Sequence, residues 1–270
     1  AMAVFVSALI YPTLPNISHL EKYHPKQPLQ IYSSDEILIA EFGEERRDFI
    51  AISDTPQQMI NAILSIEDRR FFEHPGIDII GITRAALKNI SGKSHEGAST
   101  ITMQVARNFF LTSEKTLKRK INEILLAIKI ERTLSKEEIL ELYVNQIYLG
   151  QRSFGFAAAA NTYFGKNLDQ LNLGETALLA GLPKAPSRYN PLVRPHLAIK
   201  RQQDVLNSML RHGYIDKPTY IIALDDPLSL KEKFMKSELQ ADYVAEMVRK
   251  TLYEEFGDKI DFKTVLVPYK

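Results

Sequence analysis

Two periods of apolar spacing divide this chain. Over residues 29–50, "LQIYSSDEILIAEFGEERRDFI", apolar and polar residues alternate around a Ser-Ser-Asp turn, which predicts a β-hairpin or small sheet. Beyond it the spacing is helical. Ile60, Ile63 and Leu64 fall at i, i+3 and i+4, and the row continues to Glu67 and Phe71 before "HPG" at residues 74–76 stops it. Ser99 and Thr100 open a helix toward Phe110, and Thr112 or Ser113 opens another through Ile130, with Leu117, Ile121, Ile124, Leu125 and Ile128 as its inward row. Ser135 and Glu138 form a capping box for "KEEILELYVNQIYL", which Gly150 can close, and Asn172 with Glu175 repeats the device before "TALLAGLP". Gly213 and Gly257 are plausible stops for helices ending near Arg211 and Phe256. No repeat or low-complexity tract interrupts the series, so the pattern predicts one mainly α domain behind a β-containing stalk.

The N-terminal stretch "AMAVFVSALIYPTLPN" is apolar but too short for the roughly twenty residues a membrane helix needs. It reads either as the outer end of a membrane anchor with a stiff Pro-containing exit, or as a buried first helix. At 270 residues the chain can bury a core without staples. Its 45% hydrophobic and 25% charged residues and net charge of +1 exclude a strongly basic nucleic-acid binder, so functional charge has to be local. The lack of cysteine removes disulfides and thiol chemistry.

Several familiar sites are missing. "GKS" at residues 92–94 lacks the earlier glycine of a phosphate loop, the histidines have no metal-ligand spacing, and no Ser-x-x-Lys or Lys-Thr-Gly element of a serine acyltransferase occurs. Three polar faces remain. Glu67, with Asp68, Arg70 and His74 nearby, is a carboxylate in an apolar slot; burial there raises its pKa and suits it to proton transfer, unless Arg70 or a backbone cap satisfies it. In "EGASTITMQVARNFF" small residues precede a helix N-terminus able to bind an anion, and Thr100, Gln104 and Arg107 share a face opposite Ile101, Val105 and Phe109; a capped helix with a solvated polar side explains the same pattern. In "EKTLKRKINEILLAIKIE", Lys115, Arg119 and Glu123 line up, either as a surface ion pair or as a cationic face for a diphosphate with a second acid beside it.

The motifs "EDRRFFEHPGID", "GASTITMQVARNFFL", "RKINE", "EILELYVNQIYLG", "AAAANTYFGK" and "LLAGLPKAPSRYNP", in this order, make residues 29–214 resemble the peptidoglycan glycosyltransferase domain of the class A (bifunctional) penicillin-binding proteins, and among them the 1A type. The resemblance implies a mainly α, lysozyme-like fold with two lobes around a cleft, one lobe partly sunk in the membrane, and a small N-terminal β-hairpin. It divides the chain into an anchor end at 1–16, a linker and hairpin at 17–50, the catalytic domain at 51–257, and at 258–270 the start of a linker to a transpeptidase domain. The implied reaction polymerises lipid II into glycan strands with inversion and release of undecaprenyl diphosphate, on the outer, periplasmic face of a bacterial inner membrane that a single helix spans. Matching motif by motif, Glu67 would be the general base and Glu123 the second acid. Asp68, His74, Gly97, Ser99, Thr100, Gln104, Arg107, Lys115, Arg119, Lys120 and Tyr148 would contact substrate.

The implied partners are lipid II, the growing strand, membrane lipid, moenomycin-type inhibitors and other cell-wall synthesis proteins, with no nucleic acid. No cofactor is required, though a divalent cation such as Mg or Mn could help neutralise the diphosphate. Ala98 and Met103 depart from the family's Gly-Gly-Ser-Thr-x-Thr-Gln-Gln pattern, which removes an amide at position 103. Two other readings stay open on the residues alone. A lysozyme-like glycan hydrolase or lytic transglycosylase would use the same paired acids, and a non-catalytic membrane-tethered module would dock partners through aromatics such as Phe109 and Phe110.

Overall fold

The computed structural model describes residues 11, 14–20, 23, 29–33, 38–42, 45–90, 99–111, 116–231, 247–248, 251 and 264–267. Helices dominate: α1 Gln57–Glu67, α2 Ile79–Ile90, α3 Ile101–Phe110, α4 Leu117–Glu131, α5 Lys136–Gln146, α6 Phe156–Phe164, α7 Leu173–Gly181, α8 Pro195–Arg211 and α9 Lys217–Asp225. The predicted hairpin forms from β1 (Leu29–Ser33) and β2 (Leu38–Phe42), antiparallel with Leu29 opposite Phe42. A second, unpredicted sheet joins β3 (Arg46–Arg47), β4 (Tyr148–Gly150) and β5 (Ser153–Phe154), so Gly150 ends a strand rather than closing α5. The last strand, β6 (Thr264–Val267), lies parallel to β1, which brings the expected linker region back onto the hairpin. Gly257 and most of residues 1–16 lie outside the described residues. Among those described, no helix is long and apolar enough to cross a membrane.

The helices pack as two groups. α1, α7, α8 and α9 lie against one another, and α3 packs on α4 and α5. Capping fixes where several begin. Thr100 accepts from the Met103 N–H, Thr116 from Arg119, and the Ser135 and Asn172 boxes close as predicted. Thr116, not Thr112 or Ser113, therefore starts α4.

Helix α1 stops earlier than the apolar row suggests. Asp68 turns away at φ −158°, ψ 78°, and residues 69–76 form a compact turn in which Phe71 is buried without being helical. Gly76 ends that turn at φ +88°, where an added Cβ would lie 2.9 Å from Glu131 and 3.0 Å from the Ala127 carbonyl oxygen. The turn is thus seated directly on α4, a contact open only to glycine.

The apolar row of α4 is also reoriented. Leu125, Leu126, Ala127 and Ile130 are buried, but Leu117 is 84% exposed and Ile121 also faces solvent, while Glu123 is 1% exposed. Phe72, Ile79 (73% exposed), Ile80 and Ile82 are exposed as well, so large apolar side chains stand outward in residues 72–82 and at the start of α4. Phe109 and Phe110, by contrast, pack against the core, Phe109 edge-on to Tyr23. This accords with a core role for these aromatics rather than a docking one.

Candidate active site

Glu67 is the last residue of α1, at the junction of the two helix groups. Its Oε2 accepts a hydrogen bond from Gln104 Nε2 of α3 at 2.9 Å, and its Oε1 lies 3.8 Å from Arg201 of α8. Arg70 does not satisfy it, since that guanidinium is held by Glu73 at 2.7 Å and Asp78 at 3.0 Å. The Glu67 side chain keeps 12% of its surface exposed. Burial raises its pKa above the ordinary Glu value; the Gln104 hydrogen bond and the charges of Arg201, Arg107 and Lys184 oppose that rise. The Tyr143 hydroxyl, from α5, is buried with no hydrogen-bond partner among the described residues, and burial together with the Glu67 charge raises its pKa far above the usual phenol value.

Glu123 is a carboxylate of the opposite kind. Arg119 donates to one of its oxygens at 3.0 Å and Lys120 to the other at 2.8 Å, and Lys120 also donates to Ser99 Oγ at 2.8 Å. The surface-bridge reading of this face is corrected here, because the acid of the pair is buried. Ser99 lies just before α3 and Gln104 in its first turn, so the cationic cluster and Glu67 both contact the N-terminal end of this segment. Thr100, Gln104, Ile101 and Val105 are all buried, so α3 has no solvated polar face over its first turns. Met103 is buried in the core, which removes position 103 from any ligand contact in this chain.

Asp68 and His74 serve the frame. His74 Nε2 lies 3.0 Å from both Asp68 oxygens, one of which accepts the Ile101 N–H at 2.9 Å, and Thr100 donates its hydroxyl to the Gly76 carbonyl at 2.6 Å. Lys136 donates to the His74 carbonyl and to Glu131. These bonds lock the turn after Glu67 onto the start of α3. Both residues were expected to contact substrate; within the protein the Asp68 oxygens and His74 Nε2 bond to one another and to α3, and His74 Nδ1 has no hydrogen-bond partner among the described residues.

Arg107 stands half-buried near Glu67, and Tyr148 is exposed with its ring 5.0 Å from Phe154. Gly97 and Lys115 lie outside the described residues. Arg201 and Lys184 escaped the sequence reading. Arg201 carried a signal, for it interrupts the row Ala198, Val205, Met209 on α8 just as Glu67 interrupts the row on α1. Among the described residues no group of three or more His, Asp or Glu side chains could hold a metal ion.

A partly exposed carboxylate bonded to α3 and a buried acid whose cation reaches Ser99 just before α3 together make an arrangement suited to acid/base chemistry beside an anionic group. The family described as Transglycosylase matches residues 35–210, and the chain belongs to that family. It is 52% identical over 259 residues to penicillin-binding protein 1A of Neisseria gonorrhoeae, covering 96% of this chain and 32% of that one. To penicillin-binding protein 1A of Pseudomonas aeruginosa it is 48% identical over 258 residues, covering 94% and 31%. The crystal structure of penicillin-binding protein 1A from Haemophilus influenzae superposes with a TM-score of 0.53 at 34% identity, covering 90% of this chain and 27% of that one. The chain thus spans about a third of the curated relatives' length, at 32% of the first.

Proposed function

We propose that this chain is a peptidoglycan glycosyltransferase, with residues 51–257 as its catalytic domain, that polymerises lipid II. Glu67 takes the proton from the acceptor sugar hydroxyl as that oxygen forms a bond to the donor's anomeric carbon. The bond from that carbon to the diphosphate oxygen breaks on the opposite side, giving inversion and releasing undecaprenyl diphosphate. Arg119 and Lys120, held by Glu123, and Ser99 stabilise the negative charge that grows on the leaving group. The paired state of Glu123 supports a supporting role for this acid rather than a nucleophilic one. Asp68 and His74 keep the base and the α3 N-terminus in register.

The observation that carries this reading is the contrast between an acid whose Oε1 has no hydrogen-bond donor among the described residues, beside it, and an acid engaged by two cations. A base needs the former, and a diphosphate needs the latter's cations. The exposed Leu117, Ile79 and Ile80 support docking of this region into the outer leaflet, where the lipid tail of the substrate lies. Incubating the protein with lipid II in detergent and separating the products tests the reading: long glycan strands, blocked by a moenomycin-type inhibitor, are expected. Soluble fragments released from cell-wall sacculi, without strand synthesis, would support the hydrolase instead.

A further inference from the structure

Arg201 is buried at 6% exposure in the middle of α8, and its guanidinium is fixed from several sides. Nε donates to the Gly181 carbonyl at 3.0 Å, Nη1 lies 3.8 Å from Asp204, and Cζ sits 5.9 Å from the Tyr189 ring centroid. Gly181 permits this placement, since a Cβ there would stand 2.8 Å from Arg201 Cγ. The remaining nitrogen, Nη2, lies 3.8 Å from Glu67 Oε1, close enough for charge to act and too far for a hydrogen bond. The Glu123 cations, at 2.8 and 3.0 Å, occupy their acid's lone pairs.

We propose that Arg201 is a positioning residue for the reaction: clamped by Gly181 just outside hydrogen-bond reach, it keeps Glu67 ionised while leaving Oε1 free to receive the acceptor's proton. This rests on the reading of Glu67 as the base. The other groups facing Glu67 are Gln104 and Arg107 from α3, Tyr143 from α5 and Lys184 after α7. Arg201 differs from Arg107 and Lys184 in being the cation paired with the carboxylate within 4 Å among the described residues.

The test is the pH dependence of kcat and KM for lipid II polymerisation by the whole chain. Removing the charge with Arg201→Met makes Glu67 harder to ionise, so the acid limb moves up by about one unit and the rate below it falls about tenfold. The rate returns at higher pH, KM is little changed, and Arg201→Lys restores most of the shift. Asp204→Asn, at a side chain 55% exposed, frees Arg201 from its second acid and moves the limb slightly down, which reads the same coupling without touching the core. Curves for Arg201→Met and Asp204→Asn that run parallel to wild type would overturn the role of Arg201. Strand synthesis by Glu67→Gln would instead overturn the reading it rests on.

Discussion

Glu67 on α1 and Glu123 on α4 are the same residue type, and their surroundings give them opposite chemistry. Glu123 is sealed in, with a cation on each oxygen, so its lone pairs are occupied and its charge is spent on holding Arg119 and Lys120 in place. Glu67 ends its helix at a junction, with a neutral amide on one oxygen and a cation held at 3.8 Å from the other. Burial without close pairing leaves a carboxylate with a raised affinity for protons. A catalytic acid or base is thus distinguished less by being buried than by what its oxygens are still free to do.

The contrast breaks most visibly at Glu67. Glu67→Gln is expected to lower lipid II turnover at least a thousandfold, at the strong end of what general base catalysis supplies, while the substrate still binds. The same change has a second reading in stability. Because the folded-state pKa of Glu67 is raised, the folded form holds a proton more tightly than the unfolded chain, and the stability this gives at low pH is lost as pH rises through the folded value. Ionised Glu67 therefore costs stability at neutral pH, and Glu67→Gln should be more resistant to urea there by about 1 kcal/mol. Loss of both activity and stability would show that Glu67 is instead a structural acid.

Lys120→Ala probes the other side. It removes a donor aimed at developing charge and should reduce kcat roughly a hundredfold with a smaller change in stability, since the Lys120 side chain is 38% exposed and its partner keeps Arg119. Equal losses of turnover and of folded protein would reassign the cluster to structure alone. The exposed apolar side chains give the smallest effect: Ile79→Ser with Leu117→Ser should weaken binding to lipid vesicles about thirtyfold, each buried side chain contributing on the order of 1 kcal/mol, and leave turnover in detergent near wild type.

Much of this site was legible because helical periodicity is a strong local signal. Glu67 broke an apolar row, and Thr100, Ser135 and Asn172 announced helix starts by side chains that cap them. What failed depended on partners distant in the chain. The outward turn of Leu117 and the inward turn of Glu123 follow from how α3 and Ser99 meet α4, which periodicity along α4 alone does not reveal. The pairing of β6 with β1 and of β3 with β5 likewise joins residues far apart in sequence. Asp68 and His74 lie inside a motif that marks the site, yet their bonds point into the frame, because a motif records position and not the direction of a hydrogen bond.

The division of labour between the two acids is tested most directly by the pH profile of single-turnover strand extension in Glu123→Gln. If Glu67 is the titrating base, the acid limb stays where wild type has it, above the ordinary Glu value, and only the plateau falls. An acid limb that shifts or vanishes in that variant would contradict the account, because the base would then be Glu123 or a pair that the two acids form together.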